Sequence, residues 1–165
     1  MPDHRPTELH DTEETDHVST PSQHPRDATR AVVDTVLRRL AASPDAAAEL
    51  YGDEVDWRLS WPSTPRASAI PWIRERRTRR DVADHYRVIA AEHLPEHAVV
   101  DVERVLVDGA DAVVLGTVTN TVRKTGRTYR ARFALHLTVR DGKIVRHHVY
   151  EDSLAVADAW HADPG

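Results

Sequence analysis

The stretch that decides the fold is residues 113–157, VVLGTVTNTVRKTGRTYRARFALHLTVRDGKIVRHHVYEDSLAVA. Apolar and polar residues alternate along it, which is the pattern of strands with one buried face. Thr125-Gly126 and Asp141-Gly142 interrupt the alternation and predict tight turns. In such an Asp-Gly hairpin turn we expect both residues to take positive φ. The stretch therefore predicts an antiparallel meander.

Three helices are predicted upstream of the meander. Residues 27–42 place their apolar side chains on one face, with Asp27 as the cap. A short second helix starts at Ser43-Pro44 and is expected to end at Gly52. The third spans residues 79–93, and Pro95 prevents its continuation.

Two further strands complete the predicted sheet. Residues 55–61 alternate between apolar and polar and predict a first strand. Another begins near Ala98 and turns at Asp108-Gly109, so four consecutive strands precede a closing helix capped by Asp152 or Ser153. Helices followed by a meander predict an α+β fold in which the helices cover one face of the sheet.

Composition restricts the class of protein. At 165 residues, with 40% hydrophobic and 30% charged residues, the chain suits one domain, which we place at residues 26–161. No apolar run is long enough for a membrane span, and the chain has no cysteine, so a cytoplasmic location is expected. The net charge of -5 argues against nucleic acid as a partner. Residues 1–25 lack apolar periodicity and predict a disordered tail.

Three segments carry a resemblance to a known family: ELYGDEVDW at residues 49–57, VADHY at 82–86 and GKIVRHHVYED at 142–152. Together they resemble the nuclear transport factor two-like superfamily, in particular its SnoaL-like, ketosteroid-isomerase-related branch. The resemblance covers about residues 27–160. It implies a cone, also called a cystatin-like roll, in which a curved antiparallel sheet wraps around N-terminal helices. It also implies a small-molecule pocket, no cofactor, and a homodimer formed through the outer sheet face.

The catalytic residues of well-known superfamily members are mostly absent here. The resemblance places the general-base aspartate of ketosteroid isomerases at Leu59 and their second acid near Leu135. Their tyrosine on the first helix falls near Thr35, and only the tyrosine on the third helix is kept, as Tyr86. The last-strand aspartate of limonene epoxide hydrolase falls at Val149. Ketosteroid isomerisation and epoxide hydrolysis by the known machinery are therefore disfavoured.

Strand alternation, oriented by the resemblance, predicts which groups face the pocket. We expect His147 to act as general acid or base, because a histidine pKa near 6.5 suits proton transfer. Glu151 would orient His147 or act as a base itself. Asn120 or Tyr86 would hydrogen-bond an enolate or carbonyl oxygen. The predicted substrate-binding residues are Trp57, Leu59, Trp61, His85, Val118, Phe133, Leu135 and Val149.

Other kinds of site are not supported by the sequence. His147 and His148 point to opposite faces of a strand, and Pro95 separates His93 from His97, so no metal site is predicted. The arginine-rich run at residues 74–80 is interpreted as a solvated helix entrance rather than a nucleic-acid site.

Three functions follow from this sequence. The first is a cofactor-independent cyclase, isomerase or dehydratase of secondary metabolism, acting on a hydrophobic carbonyl compound. The second is a non-catalytic small-molecule-binding protein with the same pocket. The third is a dimerising interaction module whose core is filled. The first two predict a cavity lined by apolar walls with a few polar groups, and the third predicts none.

Overall fold

The structure is a computed structural model that describes residues 24–163. It confirms the α+β class. In chain order the elements are α1 (His24–Ala42), α2 (Pro44–Ala48), β1 (Tyr51–Leu59), α3 (Pro65–Ser68), α4 (Arg79–Glu92), a 3-10 turn (Pro95–His97), β2 (Val99–Asp108), β3 (Asp111–Thr121), β4 (Thr128–Arg140), β5 (Lys143–Glu151) and α5 (Ser153–His161).

The five strands form one sheet in the order β1-β5-β4-β3-β2. The four-strand meander is antiparallel as predicted, whereas β1 lies parallel to β5 at the edge. A parallel neighbour needs a long connection, which the helices between β1 and β2 and the meander itself supply. α1, α2 and α4 pack against the inner face of the sheet, and their apolar residues close one continuous core with it.

A bulge in β5 sets the direction of the side chains near the site. Thr138 pairs with Arg146 and the next residue of β4, Val139, pairs with Ile144, so Val145 is an extra residue in β5. Ile144 and the residue three positions later, His147, are both fully buried on the inner side. Regular alternation would place them on opposite faces, so the bulge brings His147 inward in register with the core.

The first strand differs from the sequence prediction. It begins at Tyr51 rather than Val55, and Gly52 lies within it instead of ending a helix. The backbone N–H of Ile144 donates to the carbonyl of Leu50 at 2.9 Å, which draws this segment onto the edge of β5. Tyr51 is consequently a fully buried core residue.

The two Asp-Gly turns also differ from each other. Asp141 (φ 50°) and Gly142 (φ 72°) both take positive φ, as predicted. At the other turn only Gly109 does, with φ 58°, and the two residues between the strands are Gly109 and Ala110. Asp108 instead pairs with Asp111 as the last pair of the ladder, so the prediction of two positive φ values is wrong there.

The predicted tail falls outside the described residues except for its last two, which begin α1. None of the helices in the described part, residues 24–163, is long and apolar enough to cross a membrane.

Candidate functional site

A cavity of about 760 Å³ lies between the inner face of the sheet and helices α1 and α4. Most of its wall is apolar, as expected for a small-molecule site. All but two of the predicted site residues line it: Leu59, His85, Tyr86, Val118, Asn120, Phe133, Leu135, His147, Val149 and Glu151. The sequence did not identify several other lining residues: Leu37, Leu40, Trp72, Ile89, His93, Val100, Val102 and Tyr129.

The two predicted lining residues that the cavity omits are Trp57 and Trp61. Trp57 lies behind the wall, stacked on the His147 ring with centroids 4.0 Å apart and planes 4° apart. Trp61 donates its Nε1 hydrogen to Oε1 of Glu151 at 2.6 Å. Both tryptophans therefore support polar groups of the wall rather than forming its surface.

His147 is fully buried, and its two ring nitrogens have different surroundings. Nδ1 lies 2.9 Å from the hydroxyl of Tyr51. Nε2 is buried and has no partner among the described residues. Burial, followed by the nearby His85 and His148, holds the pKa of His147 well below its usual value. The ring is therefore neutral near pH 7, and the expectation of a titration close to 6.5 is wrong.

Tyr51 rather than Glu151 orients His147. Burial raises the pKa of Tyr51 well above its usual value, and hydrogen bonding with Tyr86 raises it further. Burial also raises the pKa of Tyr86. When the Tyr51 hydroxyl donates to Nδ1, the Nε2 of His147 carries the hydrogen of the neutral ring. The sequence assigned Tyr51 to a helix face, so its part in the site was missed.

His85 is a second neutral histidine at this end of the cavity. Burial first, and then the charge of Arg76, lower its pKa to about 3, while a hydrogen bond with the backbone of Trp72 opposes them. Its Nδ1 is buried without a partner in the described part of the chain. Its ring meets Trp57 edge-on, with centroids 4.8 Å apart.

Glu151 is the acidic group of the cavity wall. Burial raises its pKa, the hydrogen bond from Trp61 opposes this, and the charge of Asp152 adds to it. His147 and Glu151 are four residues apart on β5, or about 13 Å at roughly 3.3 Å per residue. The carboxylate therefore does not orient the imidazole, contrary to one of the two roles predicted for it.

The opposite end of the cavity contains a hydrogen-bonded chain of three side chains. Nδ2 of Asn120 donates to the hydroxyl of Tyr129 at 3.2 Å. That hydroxyl lies 3.1 Å from Nε2 of His93, whose Nδ1 lies 2.8 Å from the carbonyl oxygen of Ile89. The sequence signal for these hydrogen bonds was only that Tyr129 and His93 occupy inward positions, where a polar side chain needs a partner.

The predicted catalytic residues are consequently divided between two ends of the cavity. Leu137 pairs with His147 and Tyr129 with Asn120, eight residues apart along β4. At roughly 3.3 Å per residue the two levels are about 26 Å apart along the strand, so His147 and Asn120 lie at different ends of the cavity. Glu151 lies between, close enough for its charge to raise the pKa of both Tyr86 and Tyr129. Within residues 24–163 no group of side chains suits a metal ion.

Known proteins resemble this chain in sequence pattern and in fold. The sequence profile of the SnoaL-like domain matches residues 29–147. No curated protein sequence matches the chain. An NTF2-like protein from Burkholderia xenovorans is 19% identical, with a TM-score of 0.65 over 81% of this chain and 96% of its own.

Two further structures extend the likeness. A protein from Jannaschia sp., provisionally named a SnoaL-like polyketide cyclase, is 18% identical, with a TM-score of 0.67 over 88% of this chain and 98% of its own. Bal32a, from a soil-derived mobile gene cassette, is 12% identical, with a TM-score of 0.68 over 83% of this chain and 99% of its own. At these identities the structures establish the NTF2-like fold alone.

Proposed function

The chain belongs to the SnoaL-like family, and on that premise we propose that it is a cofactor-independent acid/base enzyme. Its substrate is a hydrophobic, carbonyl-containing small molecule that undergoes cyclisation, isomerisation or dehydration. One observation supports this function most strongly: a half-buried carboxyl with a raised pKa, Glu151, lies in the wall of an apolar cavity. A carboxylate in such a site is a stronger base than one in water, which suits proton abstraction next to a carbonyl.

Glu151 is the general base in this proposal. Trp61 holds Oε1 at 2.6 Å, which fixes the carboxylate, and the other oxygen has no hydrogen-bond partner among the described residues. That oxygen removes a proton from the carbon next to the substrate carbonyl. The electron pair of the broken C–H bond then moves to the carbonyl oxygen and forms an enolate.

His147 offers the substrate a hydrogen-bond donor rather than a base. A neutral imidazole donates through Nε2 when Nδ1 accepts from Tyr51, and no partner in the described chain occupies that nitrogen. About 13 Å of β5 separate His147 from Glu151, so this donor binds a polar group of the substrate other than the carbonyl at which Glu151 acts.

The test is exchange of carbon-bound hydrogen in D₂O. A panel of hydrophobic ketones and enones of polyketide, steroid and terpenoid type is incubated with the protein, and deuterium uptake is followed by mass spectrometry. We expect uptake into at least one compound, and a loss of at least about 100-fold in rate for Glu151→Gln. The rate should rise with pH above 4.5, because the ionised carboxylate is the active form and its pKa is raised.

A matched control keeps this test specific. Glu96→Gln makes the same chemical change at an exposed residue outside the cavity lining and should leave the rate unchanged. Equal rates for wild type and Glu151→Gln would contradict the assigned base.

Ligand binding without turnover is a second candidate, favoured by the pairing of polar groups within the wall. Asn120, Tyr129 and His93 bond one another, and Glu151 is bonded by Trp61. A site that only holds a ligand needs such fixed groups but no free base. Tight binding of a ketone by both wild type and Glu151→Gln, with no deuterium uptake, would support this function instead.

A further inference from the structure

The hydrogen-bond directions at the far end of the cavity are determined by one acceptor. The carbonyl of Ile89 only accepts, so Nδ1 of His93 carries the hydrogen. Burial lowers the pKa of His93, which keeps the ring neutral, so its Nε2 accepts. The Tyr129 hydroxyl therefore donates to His93, and its oxygen is left to accept from Asn120. The amide of Asn120 is thus oriented with its nitrogen toward Tyr129.

Asn120 is the member of this chain with unused hydrogen-bonding capacity. Its side chain is 8% exposed and lines the cavity. One N–H is committed to Tyr129, while the second N–H and Oδ1 have no partner in the described part of the protein. Asn120 therefore presents one donor and one acceptor to the cavity, and the two lie side by side in a fixed direction. A hydroxyl group satisfies both, whereas a carbonyl accepts only and would leave Oδ1 unpaired.

The distance from Asn120 to the proposed base limits the length of a ligand that reaches both. Glu151 pairs with Phe133, and Asn120 pairs with Tyr129, four residues further along β4. Four residues correspond to about 13 Å along the strand at roughly 3.3 Å per residue. The wall between the two levels is apolar, formed by Phe133 and Val118.

The charges around the cavity also limit the ligand. Its lining contains neither lysine nor arginine. A carboxylate or phosphate group would lose its hydration there without a cationic partner, and Glu151 would repel it. The ligand is therefore uncharged.

We infer that the substrate is an elongated, uncharged, hydrophobic molecule with a hydroxyl group at the end remote from its reactive carbonyl, and that Asn120 binds this hydroxyl. The position of the reactive carbonyl rests on the proposed function, whereas the hydroxyl site rests only on the network around Asn120. Tyr129 and His93 are positioning residues, because they orient the amide and do not touch the ligand hydroxyl.

The experiment uses three rigid four-ring enones that differ only at the remote end: testosterone with a hydroxyl, androstenedione with a ketone, and the analogue that lacks this oxygen. Calorimetry should show that wild type binds testosterone about tenfold more tightly than the deoxy analogue, with the ketone between them. Asn120→Leu, which keeps the volume and removes the amide, should bind all three within about twofold.

Two more variants separate recognition from folding. Tyr129→Phe keeps Asn120 but removes its anchor, so the preference for the hydroxyl should decrease without disappearing. Thr119→Val changes the adjacent residue, which faces the other side of β3, and should keep the full preference. Because Tyr129→Phe tests the same network, the inference can be checked even when Asn120→Leu does not fold.

Each contrary result overturns a stated part of the inference. A preference that persists in Asn120→Leu overturns the role of that residue, and equal binding of the ketone and the hydroxyl overturns the assigned group. Binding of none of the three overturns the elongated shape. Deuterium uptake by wild type is measured in parallel: if no compound of the panel takes up deuterium while the hydroxyl preference remains, the proposed function is wrong and the binding site is retained.

Discussion

His147 and His148 are consecutive residues of β5 in opposite surroundings. His147 faces the core, stacks on Trp57 and meets the Tyr51 hydroxyl. His148 faces the outer side, where its Nε2 lies 3.0 Å from Oδ2 of Asp56, although the angle is outside hydrogen-bonding geometry. Burial keeps the His147 ring neutral, whereas the His148 ring lies beside a carboxylate.

The two carboxyl groups that flank this strand show the same contrast. Burial raises the pKa of Glu151. Contact with His148, followed by Arg146 and Arg58, lowers the pKa of Asp56 to about 2 although its partial burial opposes this. The same chemical group is thus made a stronger base on one face of the sheet and a permanent anion on the other. The comparison shows that the face of the sheet, and not the residue type, sets the chemistry here.

The largest expected difference between the faces is in stability. His147→Ala removes a fully buried, stacked ring and should lower the free energy of unfolding by about 3–4 kcal/mol. His148→Ala should lower it less, by about 2 kcal/mol, because this ring, 7% exposed, loses packing and its contact with Asp56 but no stacked partner. Urea denaturation at pH 7 measures both. Similar losses for the two variants would remove the distinction between the faces.

Acid should destabilise the protein through the inner histidines. Below pH 6.5 the unfolded chain protonates His85, whereas the folded protein, with a pKa of about 3, does not. Above pH 6.5 His85 therefore does not lower the free energy of unfolding. As the pH falls below 6.5, this residue lowers it by about 1.4 kcal/mol per pH unit. His85→Phe should reduce the pH dependence of the free energy of unfolding between pH 6 and 5 by about one proton.

The control for this slope is the next residue in α4. Tyr86→Phe removes a buried hydroxyl whose pKa is raised, so no proton is exchanged there between pH 5 and 6. It should lower stability without changing the slope. An unchanged slope in His85→Phe would mean that His85 is not held neutral by the fold.

The smallest expected effects come from replacing a carboxyl group with an amide on each face of the sheet. The two changes in the free energy of unfolding should have opposite signs. Glu151→Gln should raise the free energy of unfolding at pH 7 by about 1 kcal/mol or less, because the folded state no longer holds a half-buried carboxylate. The gain should vanish as the pH falls below 4.5, where the carboxyl is protonated in both states. Asp56→Asn should lower stability by less than about 1 kcal/mol, since its side chain is 39% exposed and screened by solvent.

Salt distinguishes the two substitutions further. The loss in Asp56→Asn should shrink at high ionic strength, whereas the gain in Glu151→Gln should not, because a buried group is screened less. Changes of the same sign at pH 7 would contradict the contrast between the faces.

Much of the fold could be predicted because its signals are local. The alternation in residues 113–151 identified three strands, and Asp141-Gly142 identified the hairpin with both positive φ values. Thr78 caps the start of α4 and Pro95 follows its end, and the observed bounds of this helix agree with the predicted ones within one residue. Of the 23 residues that line the cavity, ten were predicted, most of them because alternation along a strand determines the face.

The contacts within the site could not be predicted, because they join residues far apart in the chain. Tyr51 reaches His147 across 96 positions, and Tyr129 reaches His93 across 36. The bulge at Val145 also has no signature in its own residues. The bulge follows from the pairing register of β4 and β5, in which Ile144 and His147 both fill the core. The homodimer through the outer face remains a prediction.

By itself the sequence determined which segments become helices and strands, and which positions of a regular strand share a face, because propensity, periodicity and turn chemistry act over a few residues. Only the tertiary structure decided the state of each polar group on that inner face. His147 is neutral and Glu151 is a stronger base because of how many atoms from distant segments exclude water around them. A pKa depends on the medium surrounding the group, and packing creates that medium.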